Sequence, residues 1–249
     1  MTKSNSPSRV LVITSAKGGT GKSNKAVVTV TTLRSLGQQV AVYDADASVS
    51  STYLALRIPD VPEDQQDPLL GAVRYDMRDP EEAETFIRSM DSGVRTIIHD
   101  FPGGAHASVA ELFPAEYSNG LGEIAELAAD YGYRLTIMHM KAADPSYEAS
   151  FHTLADGFGD GVDFVAVLNR GLMTDQNLSN WTASGARSRL FELGGREITL
   201  PALAPSLLQY GLKGIADEAV ITDPYHRQLR RLFLRKAEQE LNAITNWLF

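Results

Sequence analysis

A glycine-rich segment near the amino terminus constrains the fold more than any other feature. The segment reads Ala16-Lys17-Gly18-Gly19-Thr20-Gly21-Lys22-Ser23, and it joins an apolar run at residues 10–15 to a stretch with helical spacing. Glycines allow the backbone to bend so that successive N–H groups point at phosphate oxygens, and a following helix adds the positive end of its dipole. The segment therefore predicts a phosphate-binding loop between the first strand and the first helix.

The side chains of this loop predict a nucleotide together with its metal ion. We expect Lys22 to neutralise the β- and γ-phosphates and the Ser23 hydroxyl to ligate Mg²⁺. A second lysine, Lys17, lies so close to Lys22 that the pair costs energy without phosphate, so packing alone does not explain it. The predicted nucleotide contacts are Gly18, Gly19, Thr20, Gly21, Lys22, Ser23 and Asn24.

The rest of the chain alternates short apolar runs with longer stretches of helical spacing. We predict strands at residues 10–15, 39–43, 95–99, 134–140 and 164–169, and crossover helices that include 22–36, 145–158 and 178–193. Continuous apolar runs suit strands that are buried on both faces, and strand–helix alternation gives a parallel sheet. The predicted fold is therefore α/β, with a single doubly wound, mostly parallel sheet that has helices on both faces, as in P-loop NTPases.

The organisation of the chain favours one domain. No linker rich in glycine, serine or proline divides it, so we expect a single domain over residues 9–249 after a disordered polar tail at residues 1–8. Residues 57–80 contain four prolines and a cluster of acids. This stretch is predicted as a surface excursion with a short strand at 72–77, either a solvated loop or an insert that contacts a partner.

Composition excludes several classes of protein. The chain has 249 residues, a net charge of −8 and no cysteine, so a disulfide framework, a thiolate zinc site and a thiolate-held iron–sulfur cluster are excluded. Residues 1–9 are polar, unlike a signal peptide, and no run of 18 apolar residues exists. We expect a soluble, cytoplasmic protein.

Acidic side chains stand at the ends of two predicted strands. Asp44 and Asp46 close the second strand, and Asp100 closes the next buried strand before a Pro-Gly-Gly turn. Ligands of doubly wound sheets bind at the carboxyl ends of strands, and acids at i and i+2 of an extended chain point to one side. We predict that these acids lie beside the phosphate loop; the alternative is that they serve only turns and helix N-termini.

A fifth strand end indicates which base is bound. Asn169 ends the predicted strand at residues 164–169, and position 172 is leucine. A GTPase signature would place an aspartate at that position, because guanine otherwise keeps buried donors without an acceptor. The sequence therefore favours ATP over GTP.

Taken in order, these motifs resemble the ParA/MinD family of deviant Walker A P-loop ATPases. The phosphate loop matches the family pattern KGGxGK[ST], and the resemblance implies that Lys17 reaches across a dimer interface to the partner's nucleotide. It further implies that Asp46 orients the attacking water, that Asp44 is the metal-side acid and that Asn169 contacts adenine. Asp100 would hold Mg²⁺, mostly through water, and would lead into a switch II formed by Pro102, Gly103 and Gly104. Two departures from the family are Asn24, where threonine is usual, and the missing Pro-Gln after the Asp-x-Asp motif.

The resemblance also implies a function. We expect a slow, partner-stimulated Mg²⁺-ATPase whose ATP-bound homodimer positions a cargo, namely a plasmid, a chromosome region or a protein complex. The sequence after Asp46 is also similar to conjugal-transfer (TraL-like) relatives, so a role in plasmid transfer stays open. The alternatives from other classes are a P-loop small-molecule kinase or synthetase and a module that binds nucleotide without hydrolysing it.

The carboxyl-terminal residues predict one long helix. Residues 224–249 carry apolar side chains at helical spacing together with a basic cluster of Arg227, Arg230, Arg231 and Arg235. Three interpretations are open: a helix docked on the sheet with a solvated basic face, a nonspecific DNA contact through those arginines, or membrane attachment by residues 244–249. Docking is the most favoured and membrane attachment the least. His99 and His106 have no metal-site spacing and are predicted to be structural.

Overall fold

The computed structural model describes residues 8–112 and 120–248. Its strands are β1 (Ser8–Thr14), β2 (Val40–Asp44), β3 (Val73–Arg74), β4 (Thr96–Asp100), β5 (Tyr133–Lys141), β6 (Asp163–Asn169) and β7 (Arg196–Leu200). They form one sheet in the order β3-β2-β4-β1-β5-β6-β7, and every neighbouring pair is parallel. The predicted doubly wound α/β fold is confirmed.

Helices cover both faces of this sheet. They are α1 (Lys22–Ser35), α2 (Ser51–Leu56), α3 (Pro80–Arg88), α4 (His106–Ala110), α5 (Leu121–Asp130), α6 (Tyr147–Phe158), α7 (Asp175–Thr182), α8 (Gly185–Glu192), α9 (Gly211–Ala216) and α10 (Pro224–Leu248). Alternate residues of β1 point to opposite sides: Val10 and Val12 pack into the layer of α3, α5, α6 and α8, whereas Leu11 and Ile13 pack into the layer of α1, α9 and α10. Apolar residues on both sides of each central strand thus explain the continuous apolar runs of the sequence.

The five strands predicted from apolar runs agree with the observed ones to within two residues at each end. β1 begins at Ser8, which was expected in the polar tail, and residues 1–7 of that tail lie outside the described residues. The strand expected at 72–77 is reduced to Val73–Arg74. The helix expected at 178–193 is broken into α7 and α8, because the Ser184 hydroxyl accepts a hydrogen bond from Arg187 N and starts a new helix.

The carboxyl-terminal helix docks on the sheet. α10 buries Phe233, Ala237, Leu241 and Ile244 against the layer that contains α1. No helix among the described residues has the length and apolar character needed to cross a membrane. The side chains of residues 245–249, which were considered for membrane attachment, lie outside the described part.

The expected basic face of α10 needs a correction at Arg230. The guanidinium of Arg230 is buried and donates to the carbonyls of Gly214 and Ile215, at the end of α9. Arg227 donates to the Ile221 carbonyl, and Arg231 pairs with Glu218. Arg230 therefore satisfies unpaired helix carbonyls rather than presenting charge to DNA, while Arg235 stays exposed.

His99 lies in the core, as its predicted structural role requires. Its ring nitrogens lie 3.0 Å from the Tyr75 hydroxyl and 3.1 Å from the Ser89 hydroxyl. Burial lowers the pKa of His99 to about 3, so the ring is neutral at physiological pH. The side chain of His106 lies outside the described residues.

Candidate nucleotide-binding site

The candidate site lies where the central strands of the sheet end. β1 runs between β4 and β5, and the register pairs Ile13 with Asp100 and Thr14 with His139. Asp44 of β2 stands beside Asp100 of β4 in the same row. Because parallel strands end at one edge of the sheet, the loop after β1 and both strand-end acids converge there, as the sequence predicts.

The loop between β1 and α1 takes the conformation that its glycines permit. Gly19 and Gly21 have φ angles of 75° and 94°, in the region that favours glycine. A Cβ atom on Gly21 would lie 2.4 Å from Asn169 Nδ2, so this position excludes a side chain on steric grounds as well. The Ser15 hydroxyl donates to the Lys17 carbonyl at 2.6 Å and fixes the start of the loop.

The two lysines of the loop have different surroundings. Lys22 is only 8% exposed, although it belongs to the first turn of α1. The Lys17 side chain is 59% exposed, and its Nζ lies 3.0 Å from Asp144 Oδ1. One positive charge is thus held within the site, and the other stands at its rim.

Asp144 is the carboxylate that engages Lys17. Its side chain is 6% exposed and accepts hydrogen bonds from the backbone N–H and the hydroxyl of Ser146, at 3.0 and 2.6 Å. Burial opposes ionisation, but these hydrogen bonds and the charge of Lys17 outweigh it and hold the pKa of Asp144 below its ordinary value. An open cavity of about 300 Å³ lies between the phosphate loop, the segment at residues 142–145 and Leu172.

Asp100 offers an oxygen that is free for a metal-bound ligand. Its Oδ2 accepts a hydrogen bond from the Thr52 hydroxyl at 2.8 Å, whereas its buried Oδ1 has no hydrogen-bond partner. Burial and the charge of Asp44 raise the pKa of Asp100, whereas the Ser23 and Thr52 hydroxyls and the Lys22 ammonium lower it. The net result is a pKa of about 7. A carboxylate oxygen without a partner, close to the loop serine, fits a hydrated Mg²⁺.

The described residues contain no group of three or more His, Cys, Asp or Glu side chains that could hold a metal ion by themselves. A metal here would take its remaining ligands from phosphate and water. This is the usual arrangement for Mg²⁺ at phosphate sites.

Asp44 holds the start of α2 in place. Its carboxylate accepts hydrogen bonds from the backbone N–H groups of Tyr53 and Asp46, at 2.9 and 3.1 Å. Burial, together with the charge of Asp46, raises the pKa of Asp44 despite these hydrogen bonds. The structure therefore gives Asp44 a positioning contact that the sequence did not indicate, and its role at the metal stays a prediction.

Asp46 faces solvent more than Asp44 does. Its side chain is 21% exposed, its Oδ1 accepts a hydrogen bond from the Ser48 hydroxyl at 2.5 Å, and Arg78 Nη1 lies 3.7 Å from the same oxygen. The predicted role of Asp46 in orienting water requires an accessible carboxylate, and this geometry provides one.

The segment after β4 lies directly against the phosphate loop. The N–H of Phe101 donates to the Ile13 carbonyl at 3.0 Å, and the N–H of Gly104 donates to the Ser15 carbonyl at 2.9 Å. A Cβ atom on Gly103 would come within 2.6 Å of the Lys17 carbonyl carbon. The predicted switch II residues thus contact the loop through their backbone, and a movement of either segment must move the other.

We expect Gly103→Ala to weaken ATP binding by about tenfold or more, because the added methyl group must displace the backbone at Lys17 and Gly18. Titration with a fluorescent ATP analogue would measure this. Gly185→Ala is the matched control, since a Cβ atom there meets nothing within 4 Å. Unchanged affinity in Gly103→Ala would show that the loop tolerates displacement.

Asn169 holds the phosphate loop through a hydrogen bond to its backbone. Its Nδ2 donates to the Thr20 carbonyl at 2.9 Å, and its Oδ1 accepts from the Gly171 N–H at 3.0 Å. The residue is 5% exposed. Its contact with adenine stays a prediction, whereas its contact with the loop is a role that sequence reasoning missed.

Thr52, Asp144 and Arg78 are the other residues of the site that the sequence analysis did not select. Asp144 follows the end of β5, so the rule that selected Asp100 could also have found it. Thr52 carries no comparable signal because it lies within α2 rather than at a strand end, and Arg78 carries none because it joins the site from the excursion at residues 57–80.

Known proteins resemble this chain in two ways: a family model matches its first part, and solved structures share its fold over nearly the whole length. A family model named ParA, described as the NUBPL iron-transfer P-loop NTPase, matches residues 6–74. The cell division ATPase MinD of Pyrococcus furiosus aligns over 95% of this chain and 99% of its own, with a TM-score of 0.54 and 18% identity. The comparison with curated proteins gave no match.

Two other MinD structures give similar values. The septum site-determining protein MinD of Pyrococcus horikoshii OT3, complexed with Mg-ADP, covers 95% of this chain and 98% of its own at a TM-score of 0.51 and 17% identity. The MinD cell division protein of Aquifex aeolicus covers 93% and 98% at a TM-score of 0.50 and 20% identity. At these identities the likeness shows a shared fold.

Proposed function

We propose that this chain is a P-loop NTPase of the ParA/MinD type and acts as a slow Mg²⁺-dependent ATPase that forms a homodimer when it binds ATP. The observation that carries the proposal is the different placement of the two loop lysines. Lys22 is buried within the site, whereas Lys17 stands at its rim with a side chain that is 59% exposed. A single bound triphosphate needs the first of these and leaves the second available to a neighbouring subunit.

In this proposal the loop binds the triphosphate of ATP. The N–H groups of residues 18–23 and the Lys22 ammonium surround the phosphates, and Ser23 and Asp100 hold hydrated Mg²⁺. The ion, when bound, neutralises charge that develops on the phosphate oxygens. Leucine at position 172, in the wall of the cavity, supports ATP over GTP because it cannot accept hydrogen bonds from guanine.

Hydrolysis is assigned to groups at the rim. Asp46 orients the attacking water, and Lys17 of one subunit completes the site of the other in the manner of an arginine finger. Turnover releases the dimer, so the useful product is a change of partner rather than a metabolite. We propose that this switch positions a cargo such as a plasmid, a chromosome region or a protein complex, and that a partner protein stimulates it.

Iron transfer, which appears in the description of the matched family model, is not carried over. Iron–sulfur clusters are held chiefly by cysteine thiolates, and this chain has no cysteine.

Lys17→Ala is expected to bind ATP and remain monomeric. The Lys17 side chain contacts Asp144 rather than the interior of its own loop, so its loss should leave the affinity for ATP within about threefold of wild type. Light scattering after size exclusion, with and without Mg²⁺-ATP, would measure the mass.

Lys236→Ala, which removes an exposed lysine from α10, is the control for loss of one positive charge. Undiminished ATP-dependent dimerisation of Lys17→Ala would contradict the trans role. ATP consumption by a monomer that rises steeply with an added metabolite would instead indicate a kinase or synthetase.

A further inference from the structure

The proline-containing excursion at residues 57–80 is bound to the rest of the fold. The Arg34 guanidinium of α1 donates to the carbonyls of Pro68 and Gly71, each at 2.9 Å. The Gln66 side chain accepts from Ile58 N at 2.7 Å and donates to the Val61 carbonyl at 2.8 Å. These contacts hold residues 57–80 in place, so the excursion is a fixed segment rather than the solvated loop that the sequence favoured.

The last part of this excursion runs beside the strand end that carries Asp46. The N–H of Tyr75 donates to the Asp44 carbonyl at 2.9 Å, and the N–H of Met77 donates to the Ala45 carbonyl at 3.1 Å. Asp46 and Asp76 continue this pairing as an isolated antiparallel bridge. The excursion therefore aligns its own backbone with the segment that follows β2.

This alignment brings Arg78 to the Asp46 carboxylate. The Arg78 N–H donates to Asp76 Oδ1 at 2.9 Å, which fixes the turn from which its side chain leaves. Its Nη1 lies 3.7 Å from Asp46 Oδ1, the oxygen that also accepts from the Ser48 hydroxyl. Both contacts fall on one oxygen of the carboxylate.

We propose that Arg78 is a positioning residue for hydrolysis: with Ser48 it orients the Asp46 carboxylate so that Oδ2 faces the attacking water. This inference rests on the proposed function, because it needs Asp46 to act on water. A carboxylate in a partly exposed turn otherwise changes rotamer freely, and each misplaced rotamer is unproductive.

The position of Arg78 distinguishes this role from support of the fold. Its side chain is 50% exposed and contacts Asp46, whereas the excursion is held by backbone hydrogen bonds and by the side chains of Arg34 and Gln66. The next residue, Asp79, caps α3 by accepting from Glu81 N. Truncation of Arg78 should therefore leave both the excursion and α3 in place.

The test measures phosphate release under single-turnover conditions, with enzyme in excess over radiolabelled Mg²⁺-ATP. We expect Arg78→Ala to reduce the maximal rate about threefold to tenfold while the half-saturating concentration of enzyme stays within about twofold. Arg78→Lys should restore part of the rate, because it keeps the charge but not the guanidinium geometry. Arg88→Ala is the matched control, since Arg88 is 75% exposed and pairs with Glu84 within α3.

A double-mutant cycle shows whether Arg78 acts through Asp46. In an Asp46→Asn background, Arg78→Ala should change the residual rate less than about twofold, because the group that it orients is already lost. A wild-type or faster rate in Arg78→Ala, or an equal loss in both backgrounds, would overturn the inference while leaving the proposed ATPase intact. A wild-type protein that releases no phosphate would remove the proposed function, and this inference with it.

Discussion

Lys22→Ala is expected to abolish useful ATP affinity, with a dissociation constant raised at least about a hundredfold. Lys22 is 8% exposed and supplies the buried positive charge of the phosphate loop. A charge-assisted contact to phosphate in such surroundings is worth far more than a neutral hydrogen bond. Its loss also removes the positive charge that lowers the pKa of Asp100, so that carboxyl group is protonated more readily and becomes a poorer partner for hydrated Mg²⁺.

Isothermal titration with Mg²⁺-ATP would measure this effect, and circular dichroism would verify that the variant is folded. Lys236→Ala again controls for the change in net charge. If Lys22→Ala kept its affinity for ATP within about tenfold of wild type, the nucleotide would have to bind elsewhere. The roles proposed for the phosphate loop would then be wrong.

The sequence predicted the sheet well because burial on both faces leaves a strong pattern. The five central strands are buried along nearly their whole length, and the apolar run in each was found within two residues of the observed bounds. β7 was missed because it is an edge strand in which residues of intermediate exposure alternate with buried ones, so it shows no continuous apolar run. The break between α7 and α8 was missed because one serine cap outweighed a helical pattern that continues on both sides.

The candidate site was predicted from one rule, namely that ligands of doubly wound sheets bind at the carboxyl ends of the strands. That rule selected Asp44, Asp46, Asp100 and Asn169, and the structure brings all of them to the same edge of the sheet as the phosphate loop. It could not assign the contacts that each one makes. Asn169 supports the backbone of the loop and Asp44 holds α2, because buried polar groups bond to whichever backbone donors and acceptors lie beside them.

The contact between Arg78 and Asp46 could not be predicted from the sequence, because it joins two segments that are distant in the chain. Arg78 and Asp46 meet only because the excursion pairs its backbone with the end of β2. The sequence indicated a stretch rich in proline and acids, for which a solvated loop is the ordinary interpretation. An arginine in such a stretch gives no sign of its target until the register of the edge strand is known.

Asp46→Ala is expected to separate binding from turnover. The variant should bind Mg²⁺-ATP and form the dimer, yet its rate of phosphate release should fall about a hundredfold or more, the range found when a positioned acid or base is removed. Binding should survive because the described contacts of the Asp46 side chain reach Ser48 and Arg78, and neither belongs to the phosphate loop. The dimer should persist longer than in wild type, since hydrolysis is the step that releases it.

Light scattering and single-turnover phosphate release on the same preparation would measure both effects. Asp175→Asn is the control, because its carboxylate is 97% exposed at the start of α7. Three outcomes identify three different roles. Normal hydrolysis would remove Asp46 from the reaction, and loss of ATP binding would make it part of the nucleotide pocket. A monomer that still hydrolyses ATP would separate catalysis from dimerisation, and Lys17 could then no longer be required in trans.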